Sequence, residues 1–234
     1  MVWYSLFKYV LIGPYLRYKG RPRIEGLERI PARGQVILAG NHLSIVDSFY
    51  LCLLINRPIT FVAKSDYFEG RGLRGRALAW FFRAVKQIPI SRHDPDAAKK
   101  SLEASRRVLD NGGIWAIYPE GSRSPDGRLY KGKTGVMRIA LTADAVVFPV
   151  VTSGTREMNP IGKRGLRRGR VEIRICEPLD LSKYVTATNS GAVLRAATDY
   201  LMCSLQENSG QEYVDCYNDA YKSRSNRTDN ARTA

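Results

Sequence analysis

Histidine and cysteine are scarce in this chain, whose 234 residues include two histidines and four cysteines. The cysteines are scattered, with no Cys-x-x-Cys pair and no disulfide-like spacing, which predicts reduced thiols in a protein that faces the cytoplasm. Two histidines without a further His–Asp pair make a poor metal site. We therefore expect no metal, and a metal phosphohydrolase is the least favoured function.

Apolar runs of membrane-spanning length are also lacking. A spanning helix needs about 20 apolar residues, and Lys8, Pro14 and Arg17 interrupt the first twenty. The same segment has neither the basic start nor the small-residue cleavage site of a signal peptide. Its Trp and Tyr residues, followed by Arg and Lys, are typical of a helix that lies in the membrane interface. The alternative for residues 1–20 is a first helix docked on the core.

Acidic residues are outnumbered, since 37 Lys and Arg face 22 Asp and Glu, for a net charge of +15 and a pI near 9.9. Such a field attracts polyanions: nucleic acid, an anionic bilayer or a phosphorylated substrate. Residues 155–174 alone carry seven Lys or Arg against two Glu, either as a surface facing anionic lipid or as a solvated hairpin. Aromatic residues are not interleaved with this run as a base-stacking platform requires, so we expect no nucleic acid partner.

Short apolar strands alternate with helix-length segments along the chain. "QVILAGN", "ITFVA", "KQIPIS", "IWAIY", "AVVFPVV" and "VEIRICE" predict strands, and the segments between and after them predict helices. This alternation predicts an α/β fold with a single mixed sheet flanked by helices. We assign residues 1–20 to a membrane-anchoring helix, 21–205 to the α/β domain and 206–234 to a polar, disordered tail.

His42 and Asp47 stand just past the first buried strand, in "NHLSIVD". Five residues separate two positions by about 140° on a helix, so the pair can meet only if His42 precedes the helix that Asp47 begins. A carboxylate bound to one ring nitrogen would fix the tautomer and leave the other nitrogen as a base. The alternative is a capping histidine beside an ordinary helix-start aspartate.

A second loop, "YPEGSRS", follows the strand "IWAIY". Pro119 and Gly121 predict a sharp turn, whose backbone N–H groups can meet an anion. Arg123 is the residue type that grips a phosphate with two parallel bonds. The alternative is a solvated turn with an Arg–Glu pair.

Four ordered blocks between His42 and Val150 carry a resemblance: "NHLSIVD", "QIPISR", "YPEGSRS" and "VFPVV". In order and spacing they resemble the glycerolipid acyltransferases, specifically the lysophosphatidic acid acyltransferases. The resemblance implies a base and its aspartate at His42 and Asp47, and a site-shaping proline at Pro149. It also implies substrate phosphate and glycerol binding by Arg92, Glu120, Gly121, Ser122 and Arg123. The second block departs from the family pattern, with Gln87 and Ile88-Pro89-Ile90 where Gly and an aromatic residue are common.

The implied reaction transfers a fatty acyl group from acyl-CoA or acyl carrier protein to lysophosphatidic acid, giving phosphatidic acid. No cofactor beyond that co-substrate is implied. Lys64 and Lys131 are expected to help bind the phosphate, and Lys133 is a further candidate. Trp80, Phe81 and Phe82 are candidate walls for an acyl chain, although core packing is their ordinary role. The expected location is peripheral or monotopic, on the cytoplasmic face of the cell membrane. The alternatives are another lysophospholipid acceptor, or a basic membrane- or nucleic-acid-binding module without activity.

Overall fold

The computed structural model describes residues 2–70, 72–84, 87–90, 96–163, 165–187 and 190–219. Within these ranges the helices are α1 Val2–Leu6, α2 Gly13–Gly20, α3 Asp47–Leu54, α4 Gly72–Ala84, α5 Ala97–Asp110, α6 Gly135–Ala140, α7 Thr155–Met158 and α8 Gly191–Ser209. The strands are β1 Arg23–Glu25, β2 Gln35–Gly40, β3 Ile59–Lys64, β4 Ile88–Ile90, β5 Ile114–Ile117, β6 Leu129–Tyr130, β7 Ala145–Ser153, β8 Glu172–Ile175 and β9 Tyr213–Val214.

Seven strands form one mixed sheet in the order β1-β8-β7-β2-β5-β3-β4. All of its pairs are parallel except β7 with β8. Strands β6 and β9 form a separate parallel pair. The expected mixed α/β sheet flanked by helices is confirmed. The sequence does not predict strand β1, because its three residues alternate charged and apolar side chains and form no apolar run.

The two faces of strand β2 build the two halves of the core, because successive side chains of a strand point to opposite faces. Ile37 and Ala39 belong to a cluster that includes residues of α5, α6 and α8. Val36 and Leu38 belong to the other cluster, with residues of α2 and α3. A strand buried on both faces reads as a continuous apolar run, which is why "QVILAGN" predicts it so clearly.

The N-terminal segment is not the single helix expected over residues 1–20. It forms α1, a π-helical turn at Phe7–Leu11, and α2. Part of it docks on the domain: the buried Lys8 ammonium donates to the Ile55 carbonyl, and Leu16 is a core residue. Burial lowers the pKa of Lys8. Among the described residues, no helix has the length and apolar character needed to cross a membrane.

The boundary expected at residue 206 falls inside ordered structure. Helix α8 continues to Ser209, and β9 follows at Tyr213–Val214. Backbone N–H groups of Leu129 and Lys131 donate to carbonyls of Glu212 and Cys216, at 2.9 and 3.1 Å. These bonds order a polar segment that its composition alone does not predict to fold. Residues 220–234 of the expected tail lie outside the described residues.

Asn41 continues the pairing of β2 with β7 after the β2 backbone has left the sheet. Its side-chain oxygen accepts from the Thr152 N–H at 2.8 Å, and its Nδ2 donates to the Thr152 carbonyl at 3.0 Å. The same Nδ2 donates to Gln211 at 2.7 Å. The Asn41 side chain thus makes the two hydrogen bonds with Thr152 that the backbone of a strand residue would make. The backbone after Asn41 can therefore leave the sheet and form the loop that carries His42.

Replacing Asn41 by alanine is expected to lower the free energy of unfolding by about 2–6 kcal/mol. Two buried backbone groups of Thr152 would lose this partner, and each such loss costs about 1–3 kcal/mol. Urea unfolding followed by circular dichroism measures the change. Asn111→Ala, at an exposed helix end, is the control and should cost about 1 kcal/mol or less. Equal losses for the two variants would contradict the role of Asn41.

Candidate active site

Two loops meet at one edge of the sheet because their strands are parallel neighbours. Ala39, near the end of β2, pairs with Ile117, at the end of β5. The carboxyl ends of such strands are where ligands gather in open α/β sheets. The Ser124 N–H donates to the His42 carbonyl at 2.7 Å and joins the two loops directly.

The Asp47 carboxylate fixes the His42 ring. Its Oδ2 lies 2.9 Å from His42 Nδ1, and the same oxygen accepts from the backbone N–H groups of Leu43 and Ser44 at 2.8 and 2.9 Å. Asp47 is completely buried at the start of α3, where the helix dipole favours a negative charge. An ionised carboxylate only accepts, so this contact favours the His42 tautomer with the proton on Nδ1 and leaves Nε2 without one. The predicted contact between the two side chains is confirmed.

Tyr118 stacks face to face on the His42 imidazole. The ring centroids are 3.8 Å apart and the planes differ by 6°. The phenol oxygen lies 2.9 Å from Ser48 Oγ, one residue after Asp47. Burial, together with the nearby charge of Asp47, raises the pKa of Tyr118 well above its ordinary value. A neutral aromatic wall therefore supports one face of the ring while Asp47 sets its rotation.

Glu120 differs from the expected substrate-binding role. Its side chain is 1% exposed, and its two oxygens accept from the backbone N–H groups of His42 at 3.1 Å and Tyr130 at 3.0 Å. The carboxylate therefore lies beneath the loops and joins them. Glu120 is also absent from the lining of the cavity that contains His42.

The turn Gly121–Arg123 is the segment expected to bind an anion, although the Gly121 N–H already donates to the Tyr118 carbonyl at 2.9 Å. Gly121 has φ +75°, in the region that favours glycine, and a β-carbon there would lie 3.1 Å from the Lys133 side chain. Lys133 and Arg123 line the same cavity as His42. The turn thus carries one cationic side chain, Arg123, and lies against a second, Lys133.

The cavity at this edge has a volume of about 1290 Å³. It extends from His42 and Arg123 to the N-terminal segment, and much of its wall is apolar. Its apolar lining includes Phe7, Leu16, Ile45, Phe49, Phe61 and Phe82. A cationic end beside the imidazole and an apolar remainder fit a molecule with an anionic head and a hydrocarbon chain.

Several residues expected at the site lie elsewhere. Lys131 pairs with Asp215 at 2.7 Å, outside the lining of this cavity. Pro149 is buried within β7 opposite Ala39 and is likewise absent from the lining. Lys64 ends β3, but its side chain falls outside the described part of the structure, and so does all of Arg92.

Other residues at the site were not assigned from the sequence. Tyr118 directly precedes "PEGSRS", so its place next to the turn was a usable signal. Lys133, a further candidate from the sequence, lines the cavity, whereas Lys131 does not. No feature of the sequence indicates a role for Asn218 or Asp219, because they lie in the polar segment expected to be disordered. The described residues contain no group of three or more His, Cys, Asp or Glu side chains placed to hold a metal.

A histidine oriented by a buried carboxylate stands at the wall of a partly apolar cavity on an α/β fold. The family model described as Acyltransferase matches residues 21–153. This chain belongs to the acyltransferase family.

Individual relatives agree with this assignment. The chain is 30% identical over 162 residues to a chloroplastic 1-acyl-sn-glycerol-3-phosphate acyltransferase of Arabidopsis thaliana, covering 68% of this chain and 44% of that protein. It is 31% identical over 131 residues to a 1-acyl-sn-glycerol-3-phosphate acyltransferase of Pseudomonas aeruginosa, covering 56% and 48%. The chain thus spans about half the length of these relatives.

A solved structure has the same fold. It is the 1-acyl-sn-glycerophosphate acyltransferase of Thermotoga maritima, with a TM-score of 0.61 and 24% identity over 86% of this chain and 80% of that one.

Glu120→Ala is expected to lower the free energy of unfolding by about 3 kcal/mol or more, because two backbone N–H groups lose a buried charged acceptor. Urea unfolding measures the loss. Glu177→Ala, which removes an exposed carboxylate paired with Arg29, is the matched control and should cost about 1 kcal/mol or less. A stability loss for Glu120→Ala no larger than that of the control would show that the carboxylate does not join the loops.

Proposed function

We propose that this chain transfers a fatty acyl group from an acyl thioester to the free hydroxyl of lysophosphatidic acid, giving phosphatidic acid. The observation that carries the proposal is His42, with Nδ1 held by Asp47 and its ring at the wall of the cavity that Arg123 and Lys133 also line. The thioester is acyl-CoA or acyl carrier protein, and the reaction uses no further cofactor.

The base is needed because a glycerol hydroxyl is a weak nucleophile at neutral pH. Nε2 of His42 takes the hydroxyl proton as the oxygen attacks the thioester carbonyl, and Asp47 stabilises the imidazolium that forms. The C–S bond then breaks and the thiolate leaves, which its pKa of about 8.5 permits without strong acid assistance. The thiolate takes up the proton that His42 held, so the products are an ester and a thiol and the imidazole is neutral again.

Direct transfer is favoured over an acyl-cysteine intermediate. Cys52 lines the cavity and is the thiol placed to compete for the acyl group. Burial raises the pKa of Cys52 to about 11, so its reactive thiolate form is scarce at neutral pH. The hydroxyl activated by His42 is therefore the better nucleophile.

A phosphate monoester fits the cationic end of the cavity. Arg123 can bind two phosphate oxygens at once, and Lys133 adds a point charge. Arg92 and Lys64 remain proposed phosphate-binding residues from the resemblance. The names of the relatives specify 1-acyl-sn-glycerol 3-phosphate as their acceptor, which favours the same acceptor here over a lysophospholipid with a larger headgroup.

Replacing His42 by alanine should lower the acceptor-dependent release of thiol from palmitoyl-CoA by about 10²- to 10⁴-fold, the usual contribution of a general base. Asp47→Asn should also lose activity strongly, because an amide no longer enforces the Nδ1–H tautomer. The assay compares wild type and variants with and without lysophosphatidic acid, after circular dichroism shows that each variant is folded.

Asp110→Asn is the matched control for Asp47→Asn, since Asp110 is an exposed carboxylate in a pair with Arg106 at the end of α5. It should leave activity unchanged. A His42→Ala variant as active as wild type would remove the proposed base. Inactive wild type across acyl donors and lysolipids would remove the proposed function, and salt-sensitive DNA binding without thiol release would favour the binding module.

We also propose that the protein is peripheral or monotopic on the cytoplasmic face of the cell membrane. Tyr9, Val10 and Leu11 in the N-terminal segment are 57, 61 and 56% exposed. The basic residues of segment 155–174 lie beside this segment. The Arg168 guanidinium is 4.4 Å from the Tyr18 ring centroid, and the Gly169 N–H donates to the Lys19 carbonyl. Apolar and basic groups together suit an anionic lipid surface.

A variant with Tyr9, Val10 and Leu11 all changed to serine should bind phosphatidylglycerol-containing vesicles at least tenfold more weakly. Inserting one large apolar side chain contributes about 1.5–3 kcal/mol, and 1.4 kcal/mol is a factor of ten. Cosedimentation with vesicles measures the binding. Val146→Ser with Val185→Ser, at exposed valines elsewhere, is the control. Equal binding by both variants would contradict the proposed anchor.

A further inference from the structure

Residues 211–219, here called the C-terminal strap, lie against the loop that contains the anion-binding turn. Strand β9 of the strap pairs in parallel with β6, and the Gln211 amide donates to the Gly127 carbonyl. The strap lies outside residues 21–153, which match the family model. Its contribution to the site is therefore a property of this chain beyond the matched region.

The Asn218 side chain holds the turn Gly121–Arg123 in position. Its side chain is completely buried, and its Nδ2 donates to the carbonyls of Ser122 at 3.1 Å and Arg123 at 3.0 Å. These are backbone groups of the residues that face the cavity. The strap thus reaches the anion-binding turn with a specific pair of hydrogen bonds.

Asp219 brings a negative charge to the same place. Its Oδ2 lies 2.8 Å from Lys133 Nζ, and both side chains line the cavity that contains His42. Lys133 in turn lies against Gly121. A carboxylate of the chain itself thus lies where an anionic ligand of Lys133 would bind.

A stronger anion can replace Asp219 as the partner of Lys133. The two side chains are 52 and 61% exposed, and ion pairs this exposed are weak. A phosphate monoester carries up to two negative charges and three acceptor oxygens, so it is a stronger partner for Lys133 beside Arg123.

We propose that Asp219 is an internal placeholder for the phosphate of the acceptor, so that the strap sets acceptor affinity. The proposal rests on the proposed function. In the absence of acceptor, Asp219 keeps Lys133 at the turn. When a phosphate monoester enters, its oxygens replace the Asp219 carboxylate on Lys133, while Asn218 keeps the turn in position.

Asp219→Asn tests the placeholder. It should lower the KM for lysophosphatidic acid by about two- to fivefold, the range of an exposed ion pair, with kcat unchanged, because the competing charge is removed. Asp215→Asn is the matched control: it removes a carboxylate from the same strap, but one that pairs with Lys131 outside this cavity. It should leave KM unchanged.

A double-mutant cycle assigns the effect to Lys133. Lys133→Met should raise KM, and adding Asp219→Asn to it should give no further change. An unchanged or increased KM for Asp219→Asn, or an equal decrease for Asp215→Asn, would overturn the placeholder.

Calorimetric binding of glycerol 3-phosphate separates this proposal from the proposed function, because it needs no turnover. Tighter binding by Asp219→Asn than by wild type and by Asp215→Asn supports the placeholder even if no acyl transfer is found. Active wild type with equal binding by all three proteins overturns the placeholder and leaves the acyltransferase function standing. Absence of binding by all three proteins also overturns it.

Discussion

The site depends on one buried charge. Asp47 gathers three N–H donors on a single oxygen: the His42 ring and the backbone of Leu43 and Ser44. A carboxylate taken out of water needs such donors, and here they come from the loop that it orders. The stability of the loop and the orientation of the imidazole therefore have the same origin. The His42 ring cannot move away without removing one donor from the buried Asp47 carboxylate.

Near Asp47, buried polar side chains make hydrogen bonds that main-chain groups make elsewhere in the sheet. Asn41 continues the pairing with β7, Glu120 joins the two loops, and Asn218 holds the turn from the other side. Each one satisfies main-chain groups that would otherwise be buried without a partner. The irregular backbone needed at the edge of the sheet is possible because these side chains complete it. Hydrophobic packing of the two core clusters then supplies the rigid support.

The predictable features were those encoded locally. The buried strands β2 and β5 and the helices α3 and α5 follow from apolar runs and their boundaries, and the contact of His42 with Asp47 follows from a loop-to-helix junction. Glu120 could not be placed, because its position in the turn does not tell which way the side chain points. Lys131 and Lys133 look equivalent in the chain, and only the pairing of β6 with β9 separates them. That pairing joins residues more than 80 positions apart, so local composition misses the order of the strap.

The parallel pairing of β6 with β9 has a consequence for the order in which the protein matures. Synthesis proceeds from the N-terminus, and regions of a chain can fold as they emerge from the ribosome. His42 and Asp47 lie close together in the chain and can meet early. The turn that follows Tyr118 acquires Asn218 only after α8 and the strap have been made. The His42–Asp47 contact can therefore form before the turn gains its hydrogen bonds from Asn218.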